Sequence, residues 1–458
     1  MVVRISDKTQ NYSKVTKLLV KPSFMMLFYM YDIALVLMEC YQIRKRGRFI
    51  MNTFERQKDI LSIIEKLDIS PTLFKNATEK YKALAKYLND NGLEADMYPQ
   101  GSFAIGTVVR PNVKNPDANY DLDFICQVRG TRDDYSPSKL RELIEEKLSL
   151  SDLYGGKLEI YPECFTIEYA AINGVGFSID IVPAAEENAE NKKRLREKCN
   201  YPELIEDSIS IPKQNSEKNY CWLTNNPKGF RTWFDYINAP FIEASKNDFR
   251  NRFFQNNRTI FASVEEIPND LYRSALQRVI QILKYHMNVY YFNLPNGDDV
   301  KPISAIINVL AARIASGYDP YVTVFDLLEY VLGELSICAQ QQDLEYKNFI
   351  QNYGERKYLS RADGKWNIPN PANPEDNLAD RWNKDAKIPY YFFCWLKAAR
   401  KDLIDSLNVE DEQVFRTALE NGFGEKTVSS VLGKKYCNDN KKPKPIAVER
   451  AAKPYGSL

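Results

Sequence analysis

The chain has 458 residues, 44% of them hydrophobic and 12% aromatic, enough apolar material for a two-lobed enzyme and too much for wholesale disorder. With 62 Lys and Arg against 61 Asp and Glu, the formal charge is +1, so the basic excess of a protein that grips long nucleic acid by its phosphates is missing. A single histidine, His286, excludes His-pair and Ser-His-Asp chemistry, and carboxylates are left to do the work.

Eight cysteines (Cys40, Cys126, Cys164, Cys199, Cys221, Cys338, Cys394 and Cys437) are scattered without a CxxC pair. That argues against a zinc knuckle or a disulfide framework and fits a reducing, cytoplasmic setting. Residues 1–50 read as an N-terminal extension. Within it, residues 24–40 (FMMLFYMYDIALVLMEC) form an apolar run broken by Asp32 and followed by Arg44, Lys45, Arg46 and Arg48. It is short for a span of about 20 residues, and a mid-membrane carboxylate is costly. We read it as a buried helix or upstream segment, with a membrane anchor as the alternative. No cleaved signal peptide is recognisable.

From residue 54 to 88 apolar residues recur at spacings of three and four (Ile60, Ile63, Ile64, Leu67, then Leu73, Ala77, Tyr81, Leu84, Leu88), which predicts two helices. Ser70-Pro71 separates them and caps the second, which Asn91-Gly92 ends. Residues 95–185 change to short alternating runs at 120–128, 158–161, 165–169 and 176–182, with a helix at 138–148, the pattern of a mixed sheet with a helix on one face. Beyond about residue 200 the periodicity is helical, at 271–289, 303–315, 322–340, 391–407 and 410–421. The expected organisation is a catalytic lobe at 51–200, a helical lobe at 201–437 and a Lys- and Pro-rich flexible tail at 438–458. The fold class is α+β: a mixed-sheet lobe and a helical lobe with the active cleft between them.

Three segments carry the chemistry. In Tyr120-Asp121-Leu122-Asp123-Phe124-Ile125-Cys126 a strand turns Asp121 and Asp123 to one face and Leu122, Phe124 and Cys126 to the other. Two carboxylates side by side repel unless a cation sits between them, and oxygen-only ligands suit Mg²⁺ or Mn²⁺. A DxD by itself is better explained by a solvated edge strand, because the pattern is short. A third acid, Asp180, lies in GFSIDIVP opposite Phe177, Ile179 and Ile181, and completes a set suited to a two-metal site. About twenty residues before the DxD, Gln100-Gly101-Ser102 offers a turn whose glycine allows close approach to a phosphate and whose serine begins a helix. Singly each is weak; the order GS, DxD, distal Asp is strong.

That order resembles the polymerase-β-type nucleotidyltransferases, and within them the bacterial cGAS/DncV-like nucleotidyltransferases (CD-NTases), which make cyclic oligonucleotide signals in anti-phage defence. The resemblance is carried by QGSFAIGT, YDLDFICQV, FSIDIVPA, NPKGFRTWF, ALQRVIQILKYH, KPISAIINVLAARI and NPANPEDNLADRW, and runs from about residue 54 to 432. It implies a nucleotidyltransferase in which Asp121, Asp123 and Asp180 hold two Mg²⁺ ions. It also implies that Gln100, Gly101 and Ser102 bind nucleotide phosphate and that Lys284, Lys301 and Ser304 contact the donor triphosphate. The implied partners are nucleoside triphosphates, an effector protein that the product activates and, in some members, an accessory activator. A linear oligoadenylate synthase, a transferase to protein or RNA, and an inactive nucleotide sensor are the alternatives. Apart from the resemblance, Lys284 edges an apolar stripe of Leu276, Val279, Ile280 and Leu283, where a lysine that merely covers the stripe is the plainer reading. Residues 225–230 resemble the family's inter-lobe linker, Phe392, Trp395, Leu396, Ala399 and Leu403 read as core, and His286 reads as structural.

Overall fold

Alternation of apolar and polar residues builds a sheet between positions 95 and 225, and helical periodicity builds the packed lobe that follows it. The computed structural model describes residues 52–110, 120–172, 175–256 and 273–437. The chain forms two compact units, 1–58 and 59–458; of the first, residues 52–58 are described and are helical. Except for residues 51–58, both expected lobes fall in the second unit. The apolar run at 24–40 and the tail from 438 lie outside the described residues. Among the described residues no helix is long and apolar enough to cross a membrane.

Helix α1 (Pro71–Asp90) begins as its sequence dictates: Ser70 Oγ accepts from Leu73 N, Pro71 occupies the first turn, and Asn91 closes the end. It buries Leu73, Ala77, Leu84 and Leu88. Then come β1 (Ala95–Pro99), the single turn α2 (Gly101–Ala104), β2 (Tyr120–Thr131), α3 (Pro137–Ser149), β3 (Leu158–Ile160), β4 (Phe165–Ile172) and β5 (Val175–Glu186). After α4 (Ala189–Lys198), β6 (Ile209–Gln214) and β7 (Tyr220–Asn225) carry the sheet past residue 200, the expected limit of the catalytic lobe. The strand order is β1-β2-β5-β4-β3, with β6 on the far end of β5 and β7 beside β6. Among the described strands of this sheet, only β2 and β5 run parallel.

Pro183 marks where β5 changes partners. β4 pairs with it up to Ile181 and β6 from Ala185, so the proline, which has no N–H to give, sits in the gap between them. Leu122, Phe124, Cys126, Phe165, Ile167, Phe177, Ile179 and Ile181 form one buried layer with α1 and α3 residues such as Leu84 and Ile144.

The helical lobe comprises α5 (Pro227–Asn256), α6 (Ala275–Phe292), α7 (Ser304–Ala315), α8 (Val324–Cys338), α9 (Lys387–Leu403) and α10 (Glu412–Phe423), with shorter helices between. Helix α6 is its axis: from Leu276 to Met287 every side chain is buried. The stripe Phe392, Trp395, Leu396, Ala399 and Leu403 is core, as its spacing implies. The observed helices start and stop within a few residues of the periodic runs. The long α5, with Pro240 inside it, has no counterpart among the expected elements.

Candidate active site

The parallel register of β2 and β5 sets Asp123 opposite Asp180 and Asp121 opposite Ser178. On the other side of β5, β4 sets Thr166 opposite Asp180 and Glu168 opposite Ser178. Opposed residues share a face and lie ~5 Å apart at Cβ, so these six side chains form two polar rows across three strands. The three acids expected to converge do so. The same face turns apolar further along β2, where Ile125 packs with Ala184 and Ile209.

Thr166 Oγ1 donates to Asp180 Oδ1 at 2.6 Å, and Ser178 Oγ donates to Asp121 Oδ1 at 3.0 Å. Burial pushes the Asp123 carboxyl up to about 6, the neighbouring Asp180 and Asp121 push in the same direction, and the Lys284 ammonium pulls against them. Asp180 is raised too, by burial and by Asp121, against the lowering bond from Thr166.

The glycine turn rests on this row. Gln100 N donates to the Asp123 carbonyl at 2.9 Å, and Gly101 follows with φ of +59°. A Cβ on Gly101 would lie 2.9 Å from Asp123 Oδ2, so both backbone freedom and close approach call for glycine here. Ser102 is the second residue of α2 and is half-buried.

Lys284 does not behave as a lysine covering an apolar stripe. It is 7% exposed, and its Nζ donates to the Thr107 carbonyl at 3.2 Å. Burial lowers its pKa to about 8, Asp123 acting against that and Lys301 with it. Lys301 is half-buried and electrostatically linked to Lys284. Ser304 stands exposed at the first turn of α7, and no described bond ties it to the acidic row. His286 is buried between α6 and α9: Trp395 Nε1 donates to its Nδ1 at 3.1 Å, and Nε2 faces Asp402 Oδ2 at 3.4 Å. Indole nitrogen only donates, so the imidazole proton sits on Nε2, toward Asp402. This is a core cross-link.

Among the described residues no three His, Cys, Asp or Glu side chains form a ready-made metal cage. Asp180 and Asp121 are instead hydrogen-bonded to Thr166 and Ser178. The donor set nevertheless suits a hard divalent cation, being all oxygen and short of positive charge, as the raised pKa of Asp123 records. Sequence reading missed Thr166 and Ser178. Alternation in FTIEY and in FSID would have put both on the acids' face; which strands adjoin was the missing information.

A mixed-sheet lobe bearing convergent acids and a helical lobe together make the α+β architecture expected from the sequence. Among solved structures, the Bradyrhizobium diazoefficiens CD-NTase CdnG in complex with GTP matches with a TM-score of 0.59 at 19% identity, over 82% of this chain and 98% of that one. Escherichia coli MS115-1 CdnC with ATP matches at 0.51 and 16% identity, over 81% and 98%. A c-di-GMP synthase of Roseivirga ehrenbergii is 24% identical over 364 residues, 78% of this chain and 81% of that protein. No family model matches. The chain therefore shares the fold of CdnG and CdnC.

Proposed function

We propose that this protein is a nucleotidyltransferase that condenses nucleoside triphosphates into a cyclic oligonucleotide, releasing pyrophosphate as each linkage forms. The observation that carries this reading is the register of β2 on β5, which gathers Asp121, Asp123 and Asp180 beside the glycine turn. A ribose hydroxyl of one nucleotide attacks the α-phosphorus of another; a P–O bond to the ribose forms as the P–O bond to pyrophosphate breaks. The linear intermediate, turned round in the same site, closes the ring by the same step.

Backbone at Gly101 and the hydroxyl and N–H of Ser102 orient the triphosphate from the sheet side, with Gln100 holding the turn against Asp123. Lys284 meets the phosphates from the helical side; Lys301 and Ser304 extend that side. Asp180 takes the hydroxyl proton. Asp121, Asp123 and Asp180 would hold Mg²⁺, two ions, with Mn²⁺ a substitute, which when bound neutralises charge on the triphosphate and the departing pyrophosphate.

The relative from Roseivirga is named for a guanine cyclic dinucleotide, which makes GTP the first substrate to test and ATP the second. Incubation with each combination of the four triphosphates and Mg²⁺ or Mn²⁺, followed by mass spectrometry, should reveal a phosphatase-resistant product. Asp121→Asn with Asp123→Asn should abolish it. A phosphatase-sensitive or acceptor-linked product would point to linear synthesis or group transfer, and tight nucleotide binding without turnover to a sensor. We extend the reading to anti-phage signalling in the cytoplasm, with a separate effector protein receiving the product and an accessory activator as a further partner. Phage plating on cells carrying the protein or its double Asp variant tests that extension.

A further inference from the structure

The segment behind the glycine turn is held by side chains of the other lobe. Gln277 Nε2 donates to the Ile105 carbonyl at 2.9 Å, Gln281 Nε2 to the Val108 carbonyl at 2.9 Å, and Lys284 Nζ to the Thr107 carbonyl at 3.2 Å. Positions 277, 281 and 284 fall on one face of α6, so three successive rungs grip three nearby carbonyls. All three side chains are buried, and Gln281 is fully so. Gly106, at φ +66°, passes so close that a Cβ there would lie 2.5 Å from Gln277 Nε2.

Both glutamines are themselves fixed. Gln277 Oε1 accepts from Ser274 N at 2.9 Å, completing the capping box of α6. Gln281 Nε2 also donates to Asp68 Oδ1 at 2.6 Å, and its Oε1 accepts from Arg278 Nη1 at 3.0 Å. In turn Thr107 N donates to the Ser102 carbonyl at 2.9 Å, so the clamped segment is bonded directly to the glycine turn's serine.

From this chain of contacts we infer that Gln277 and Gln281 are positioning residues: they fix the Gly101–Ser102 turn of the sheet lobe at a set distance from Lys284 of the helical lobe. A triphosphate then meets two phosphate-binding elements already in register, which spares the cost of ordering them on binding. The inference rests on the phosphate-binding role given to Ser102 and Lys284 above.

The two glutamines allow the clamp to be cut without cutting the helix. Gln277→Glu keeps the capping box, because a carboxylate accepts from Ser274 N as an amide oxygen does, but it sets an acceptor against the Ile105 carbonyl. Gln281→Met keeps length and removes both donors. In the full chain with Mg²⁺, each variant should lose roughly tenfold in affinity for a non-hydrolysable nucleoside triphosphate, about the worth of one or two lost hydrogen bonds. Affinity for the parent nucleoside, measured by competition, should stay unchanged, and the thermal midpoint of Gln277→Glu should stay near that of the wild type. Should Gln281→Met fail to fold, Gln277→Glu carries the test. Equal losses for nucleoside and triphosphate would overturn the inference, since a general structural defect does not discriminate between them. So would unchanged triphosphate affinity in Gln277→Glu while Lys284→Met and Ser102→Ala lose theirs. If none of these variants changes triphosphate affinity, the phosphate site itself is misplaced and the proposed function falls as well.

Discussion

Two carboxylates by the same sheet, Glu187 buried and Asp123 half-buried, have opposite fates. Glu187, just past the end of β5, has a fully buried side chain, yet its pKa lies below the ordinary carboxylate range. Burial pushes it up, but bonds from Asn191 Nδ2, Ser210 Oγ, Thr224 Oγ1 and Asn188 N outweigh that, and Arg132 pairs with it at 3.2 Å. Asp123 on β2 has two acids and one cation acting on it, and rises to about 6. Burial of a charge therefore does not by itself point to a candidate site; a charge shielded from water and left short of partners does.

That contrast can be tested at both ends. The largest effect belongs to Asp121→Asn with Asp123→Asn, which should lower product formation more than a thousandfold, measured by chromatography of the products, while the metal-free protein melts no earlier. At the satisfied site the outcome inverts. Glu187→Gln leaves Arg132 and several donors poorly paired and should destabilise the fold by about 2–4 kcal/mol in urea titration, with turnover per folded molecule retained.

The pH dependence of the metal-free protein separates the two acids by sign. Asp123 binds its proton more tightly folded than unfolded, so stability should fall as pH rises from about 4 to 6, by up to about 3 kcal/mol. Asp123→Asn should flatten that slope in denaturation curves. Glu187, with its lowered pKa, contributes stability that is present above the unfolded value near 4.5 and is lost as pH falls below it. Gly101→Ala gives the smallest effect: at φ +59° and 2.9 Å from Asp123 Oδ2, the added methyl should cost about 1–2 kcal/mol of stability and weaken triphosphate binding.

Much of the site was legible before folding was considered. The alternation in YDLDFIC put both acids on one face, and the cap at Ser70, the α6 stripe and the core role of Trp395 followed from local pattern. β1, β6 and β7 were not legible: all three are short, Pro99 ends β1, and Pro212 interrupts β6. Nor was α5, whose aromatic run and internal Pro240 hide its period. Lys284 was legible as a lysine beside an apolar stripe; only packing showed that it is buried and turned to Thr107.

What the amino-acid order determined by itself were the properties set by near neighbours: face, period, caps and the chemical kinds of the candidate ligands. What the tertiary structure decided was which strands adjoin, and therefore that Asp180 stands opposite Asp123 while Thr166, Ser178, Gln277 and Gln281 supply hydrogen bonds around them. The physical reason is range. Side-chain direction repeats every two or 3.6 residues along the chain, whereas sheet register and side-chain hydrogen bonds join residues dozens to hundreds of positions apart.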